Sequence, residues 1–139
     1  MAYRIVLPVR FGDIDQARVV YYPRFFHHYH VAFEEFFRDA LKIPYDEALI
    51  GDKIGFPTVH IEADFQKPFK YGDFLDIELT ILRLGEKSIT VQYRAFNKAS
   101  GELSAVARIT SVCTDMETFK SIPFPEKYRK AFQPYVVAA

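Results

Sequence analysis

The stretch FGDIDQARVVYYPRFF, residues 11 to 26, sets Asp13 and Asp15 just upstream of a run of aromatic residues with a proline in it. An aspartate so placed can cap a helix, or it can serve as a base or nucleophile. Spacing argues against the cap. Apolar residues recur at helical intervals from Pro23 to about Leu41, and Pro23 suits the first helical position, where its missing N–H costs nothing. The N-cap then falls on Tyr22, too far beyond Asp15 for either carboxylate to occupy it. Tyr22 has no short side-chain acceptor, so the first helical N–H groups stay free and form a partly positive site for an anion or a polarised carbonyl. A carboxylate held in the loop opposite such a helix end suits acyl transfer: one group attacks or activates water while the amides hold the developing oxyanion. A purely structural role for both aspartates is the competing reading.

Other chemistries lack their residues. There is no P-loop, no G-x-G-x-x-G, no G-x-S-x-G elbow and no H-E-x-x-H. His27, His28 and His30 cluster in sequence, but neighbours on a helix point about 100° apart, so they share no metal-binding face and no metal is expected. His27 is expected to face water, and His28 or His30 the packed side. The single cysteine, Cys113, can form neither an intrachain disulfide nor a Cys-rich zinc site and reads as a core residue. Lys plus Arg equals Asp plus Glu at 18 each, so no basic excess exists to hold nucleic acid. No apolar run approaches the roughly 20 residues that span a bilayer, and MAYRIVLPVR lacks the form of a leader, so a soluble cytoplasmic protein is expected.

The elements that must position the aspartates follow from periodicity. After the long helix and a loop over 43–54, the pattern switches to period two. Val59, Ile61, Ala63 and Phe65 alternate with polar residues, as do Leu75, Ile77, Leu79 and Ile81. Ile89, Val91, Tyr93 and Ala95 follow, then Leu103 through Cys113. KPFKYGDF, Gly85-Glu86 and Ala99-Ser100-Gly101 read as the intervening turns, which predicts four half-buried strands in consecutive antiparallel order. A short first strand over 3–10 and a terminal helix over 125–132 complete the set. One apolar helix and one antiparallel sheet of five or more strands are most cheaply buried by wrapping the sheet around the helix, an α+β fold in a single domain over 1–139. With 14 Phe and 9 Tyr but no Trp, aromatic residues must fill much of that core or line a pocket.

The segment F-G-D-I-D-Q-A-R-V-V-Y-Y-P-R-F, with a long helix after its proline, resembles the active-site segment of the 4-hydroxybenzoyl-CoA thioesterase family of hotdog-fold enzymes. P-T-V-H-I-E-A-D-F-Q-K-P-F-K-Y-G-D is similar to that family's second strand and turn, and the resemblance covers nearly the whole chain. It implies a sheet curled around one helix and the hydrolysis of an acyl-CoA thioester without a cofactor. It further implies that Asp15 is the catalytic carboxylate, as nucleophile or general base, that the Tyr22 N–H polarises the carbonyl, and that Asp13 shapes the loop. Lys87 and Lys120 fall where relatives present basic residues to the CoA phosphates. Two departures stand out: Arg18 replaces a common glycine, and Gly85-Glu86 stands where at least one relative carries arginines.

Sites in that family form between subunits, and exposed strand edges with an apolar sheet face also favour a homo-oligomer, a dimer or tetramer. The expected function is therefore an acyl-CoA thioesterase acting on an aromatic or medium-length acyl group. The alternative is a non-catalytic hotdog module that binds acyl-CoA or acyl carrier protein, which would have no need of Asp15.

Overall fold

The computed structural model describes residues 1–137. Strand β1 spans Tyr3–Pro8 and leads through a short 3-10 turn, Phe11–Asp13, to helix α1, Tyr22–Phe36. A π-type turn, Phe37–Leu41, extends the helix, and the left-handed Lys42 (φ 60°) ends it. The predicted loop over 43–54 holds a second π-type turn, Glu47–Gly51, and runs into the two-residue β2, Ile54–Gly55. Then come β3 (Thr58–Phe65), β4 (Phe74–Leu84), β5 (Ser88–Asn97) and β6 (Leu103–Val112). The short strands β7 (Thr114–Asp115) and β8 (Lys120–Ser121) and helix α2 (Glu126–Phe132) follow.

The five long strands form one antiparallel sheet in the order β1-β4-β5-β6-β3. The predicted consecutive order is corrected at one joint: β3 pairs with β6, from Thr58↔Ser111 to Phe65↔Ala105, and not with β4. Residues 66–73 therefore make no hairpin turn. They carry the chain across the end of the sheet, three strand spacings or about 14 Å, well within the reach of eight residues. The crossing leaves β3 at the sheet margin, where all its residues except Ala63 are exposed, and the expected half-burial of that strand fails.

Helix α1 lies on the inner face of the sheet. Phe25, Tyr29, Ala32, Phe33 and Phe36 turn inward, the spacing a helix needs to bury one side. Tyr29 stacks on Tyr93 of β5 with ring centroids 4.9 Å apart, and Leu75, Ile77, Leu79 and Ile81 of β4 are fully buried beneath the helix. Phe36 stacks on Phe132 of α2 at 6.5 Å, so the terminal helix closes the far end of the core. The outer face is polar instead of apolar as expected. Arg4 pairs with Glu78 at 2.8 Å and with Asp76 at 3.3 Å, Arg94 pairs with Glu78 at 2.7 Å, and the Thr90 and Thr110 hydroxyls share a hydrogen bond of 2.9 Å. The apolar face of this sheet is the one the helix already covers.

Candidate active site

The start of α1 lies one residue earlier than the sequence predicts. Tyr21 is the N-cap, Tyr22 the first helical residue and Pro23 the second, with no side-chain cap. Proline tolerates either position because no N–H in the first turn has an intrahelical acceptor. The Tyr21 N–H is used, donating to the Asp13 carbonyl at 2.9 Å. The Tyr22 N–H has no acceptor among the described residues and stands at the positive end of the helix.

The loop before it is pinned by Asp13, which is 2% exposed. Its Oδ2 accepts the Arg10 N–H at 2.8 Å and meets His28 Nε2 at 3.1 Å, while Oδ1 accepts from Arg24 Nε at 3.0 Å. Burial works against the charge on Asp13, but the Arg10 amide, the Arg24 guanidinium and His28 outweigh it and hold the carboxyl below its ordinary range. Burial also lowers His28 from its usual value, with Asp13 opposing. A neutral His28 whose Nε2–H donates to the carboxylate satisfies both directions. The pair ties the loop to the second turn of α1, as befits a loop-shaping aspartate.

Asp15 sits in the narrow hairpin that this anchor holds. An isolated bridge joins Ile14 to Val20, and the Asp15 N–H donates to the Val19 carbonyl at 3.0 Å. The exposed Asp15 carboxylate accepts the Ala17 N–H through Oδ1 at 2.8 Å, an Asx turn that fixes its direction and leaves Oδ2 without a protein partner among the described residues. The return of the hairpin requires a left-handed residue, and Arg18 supplies it at φ 67°. Glycine would adopt that conformation freely, whereas a side chain costs about 1 kcal/mol or more.

Two openings flank this end of the helix on the side of β3. A cleft of about 260 Å³ is lined by Tyr22, Phe25, Phe65 and Lys67. Further along, a chamber of about 220 Å³ lies between α1 and the inner sheet face, walled by Phe26, His30 and Phe33 from the helix and by Ile61, Val91, Tyr93, Ile109 and Ser111 from the strands. Tyr22, Phe26 and His30 are spaced by four residues and share one helix face, each about 6 Å beyond the last. An acyl group whose carbonyl meets the Tyr22 amide can therefore run along that face into the chamber.

Lys87 and Lys120 lie elsewhere in the protomer. The Asp15 hairpin abuts the crossing segment that leads into β4, with the Val20 N–H donating to the Phe69 carbonyl at 2.9 Å. Lys87 follows the end of β4, its carbonyl accepting the Cys113 N–H at 2.7 Å, and Lys120 opens β8 opposite Asp115, two residues beyond Cys113. The eleven residues of β4 put roughly 35 Å between these two ends. Both lysines are exposed. His27 is exposed and His28 buried, and burial pushes the Cys113 thiol up to about 11, so it holds its proton at neutral pH and offers no thiolate.

Residues 9–132 match the family model described as the thioesterase-like superfamily. The chain belongs to that superfamily. A 1,4-dihydroxy-2-naphthoyl-CoA hydrolase of Synechococcus elongatus is 32% identical over 133 residues, covering 94% of this chain and 95% of that protein. The crystal structure of a 1,4-dihydroxy-2-naphthoyl-CoA thioesterase from Synechocystis superposes with a TM-score of 0.86 at 26% identity, over 96% of both chains. A gentisyl-coenzyme A thioesterase superposes with a TM-score of 0.81 at 28% identity, covering 94% of this chain and 99% of that one. The hotdog fold and acyl-CoA thioester hydrolysis implied by the aspartate segment are thus those of the superfamily, and the chain is an acyl-CoA thioesterase. No helix among the described residues of this thioesterase is long and apolar enough to cross a membrane.

Sequence reasoning missed Arg24, His28 and the chamber. Arg24 reads only as a polar residue of the helix and His28 as one of a histidine cluster; their partner Asp13 lies on another element. The chamber residues read as core, and only the strand order brings Ile61 beside Ile109 and Thr58 beside Ser111 in its wall.

Proposed function

We propose that this thioesterase hydrolyses an aromatic acyl-CoA to the free acid and CoA, with Asp15 and the Tyr22 amide as its catalytic pair. The observation that carries the reading is the open first amide of α1 beside a hairpin that presents a carboxylate with one oxygen unengaged. The amide receives the thioester oxygen as it gains negative charge, and Asp15 either attacks the carbonyl carbon or takes a proton from the water that does. The thiolate of CoA departs, and a covalent anhydride, if the carboxylate attacks, is opened by water. An aromatic group is favoured over a medium-length chain by the aromatic wall of the chamber and by the 1,4-dihydroxy-2-naphthoyl-CoA and gentisyl-CoA named for the relatives.

The CoA contacts require a second copy of the chain. Pairing of two β3 edges in antiparallel fashion sets Thr58 near the partner's Phe65, which lays the Lys87 end of one protomer beside the Asp15 end of the other. Lys87 and Lys120 then meet the phosphates of a CoA whose thioester lies at the neighbouring protomer's Tyr22, by contacts that salt weakens. Thiol release measured across benzoyl-, naphthoyl-, octanoyl- and palmitoyl-CoA tests the reading. Aromatic substrates should lead in kcat/KM by about tenfold or more, a discrimination of the size a shaped apolar pocket provides. A leading palmitoyl-CoA would overturn it.

A further inference from the structure

Arg24 is the third residue of α1, in the turn where a helix disfavours a cation. The free N–H groups there give the helix end a partial positive charge, and acidic residues are preferred, yet the first turn of α1 holds none. A residue type set against its local preference points to a role beyond the helix itself. Arg24 Nε and Nη2 both reach Asp13 Oδ1 at 3.0 Å, and this contact closes a ring. The Tyr21 N–H donates to the Asp13 carbonyl at 2.9 Å, the Arg24 N–H donates to the Tyr21 carbonyl at 2.8 Å, and the Arg24 side chain returns to Asp13. Asp13 is in turn fixed to the start of the loop: its N–H donates to the Arg10 carbonyl at 2.9 Å, and its Oδ2 accepts the Arg10 N–H at 2.8 Å. One residue beyond Tyr21 comes the open amide, and two beyond Asp13 comes the carboxylate with an unengaged oxygen.

We infer that Arg24 is a positioning residue for thioester hydrolysis, holding the Asp15 hairpin and the Tyr22 amide in one fixed relation through Asp13. The inference rests on the proposed catalytic pair and adds a residue that touches neither member of it. The Arg24 charge is paired with Asp13, so its effect on the reaction is geometric. The ring connects to the pair at both ends, through Tyr21 to the amide and through Asp13 to the carboxylate, and without the guanidinium only the Tyr21 N–H bond joins loop to helix start on that side. The Arg24 side chain is 40% exposed, a setting in which an ion pair adds little to folding. When it is removed, the Arg10 N–H and His28 remain on Asp13 Oδ2, so the loop loosens and does not unfold. Turnover is far more sensitive than stability to such loosening, because a displacement of about 1 Å in a reacting group can cost about a hundredfold in rate.

The test measures thiol release from benzoyl-CoA and from benzoyl-pantetheine, which lacks the nucleotide, with each variant shown to be folded by circular dichroism. Arg24→Ala should lower kcat by about tenfold or more, leave KM within about twofold, and do so equally on both substrates. Arg24→Lys, whose ammonium still reaches Asp13 as a point charge, should return kcat to within about threefold of the parent. Arg94→Ala takes a side chain of the same 40% exposure away from a carboxylate on the outer face of the sheet and should keep the parent kcat. A folded Arg24→Ala protein with the parent kcat would overturn the inference, and an Asp15→Asn protein that has lost its turnover would leave the catalytic pair standing without it. A loss confined to benzoyl-CoA and seen in KM would make Arg24 a phosphate contact and overturn its positioning role. An equal loss in Arg94→Ala, or an Arg24→Lys protein no better than Arg24→Ala, would overturn it as well. Parent turnover in Asp15→Asn would bring down the catalytic pair and the inference together.

Discussion

Asp13 and Asp15 are two residues apart, and their surroundings differ. Asp13 is buried, with both oxygens spent on Arg10, Arg24 and His28; Asp15 is exposed, with one oxygen free. The proposed chemistry falls to Asp15 because it is the carboxylate with an oxygen left without a partner among the described residues. The anchor has a cost that pH exposes. His28 is held below its unfolded value near 6.5, so as pH falls through that value the unfolded chain takes a proton that the folded chain refuses. Stability from this group is therefore complete above about 6.5 and declines toward the lowered folded value, with a slope of at most about 1.4 kcal/mol per pH unit. Asp13, also lowered, keeps its contribution until the pH drops through the carboxylate range. Urea midpoints measured between pH 8 and 5 should fall on acidification. In His28→Gln, which retains a donor for Asp13 but cannot titrate, the decline across that window should flatten. An unchanged slope would show that another group carries it.

Secondary structure was legible element by element, and so was the pairing of β4 with β5 and β5 with β6; the partner of β3 was not. The period of 3.6 residues over Phe25, Tyr29, Phe33 and Phe36 and the period of two over Leu75–Ile81 reflect burial of one face and survive in the structure. The place of β3 does not follow from any local pattern. Val59, Ile61 and Phe65 alternate as in a half-buried strand, yet they are 61%, 45% and 46% exposed, because the chain crosses the sheet before β4 and leaves β3 without a neighbour on one side among the described residues. An edge with unpaired backbone groups and exposed apolar side chains is a pairing surface. The protein should therefore run as a dimer or tetramer in light scattering, a multiple of its 16.2 kDa chain. Val59→Lys, on that edge and outside the chamber, should shift the mass toward one chain and raise KM for acyl-CoA by about fivefold or more, since each site loses the other copy's lysines. A monomer that keeps the parent KM would remove the subunit interface from the site.

Across the whole molecule, each site joins parts that the sequence separates widely. In the proposed mechanism a capless helix start offers the amide, and a strained hairpin tied down by a buried carboxylate offers the base. In that proposal the chamber between helix and sheet takes the acyl group, and the edge strand pairs with a second copy. The aspartates and the helix start were readable in the sequence because they lie within one short segment. The chamber and the remoteness of Lys87 were not, since they depend on strand order and on the length of β4. The central claim is that Asp15 does chemistry at the Tyr22 amide, and Asp15→Asn tests it most directly, because it keeps the side chain's shape and its acceptor for Ala17 while removing the charge. With an aromatic acyl-CoA, kcat should fall by at least about a hundredfold while KM stays within about twofold and the melting temperature within about three degrees. A folded Asp15→Asn protein with the parent kcat would contradict the account.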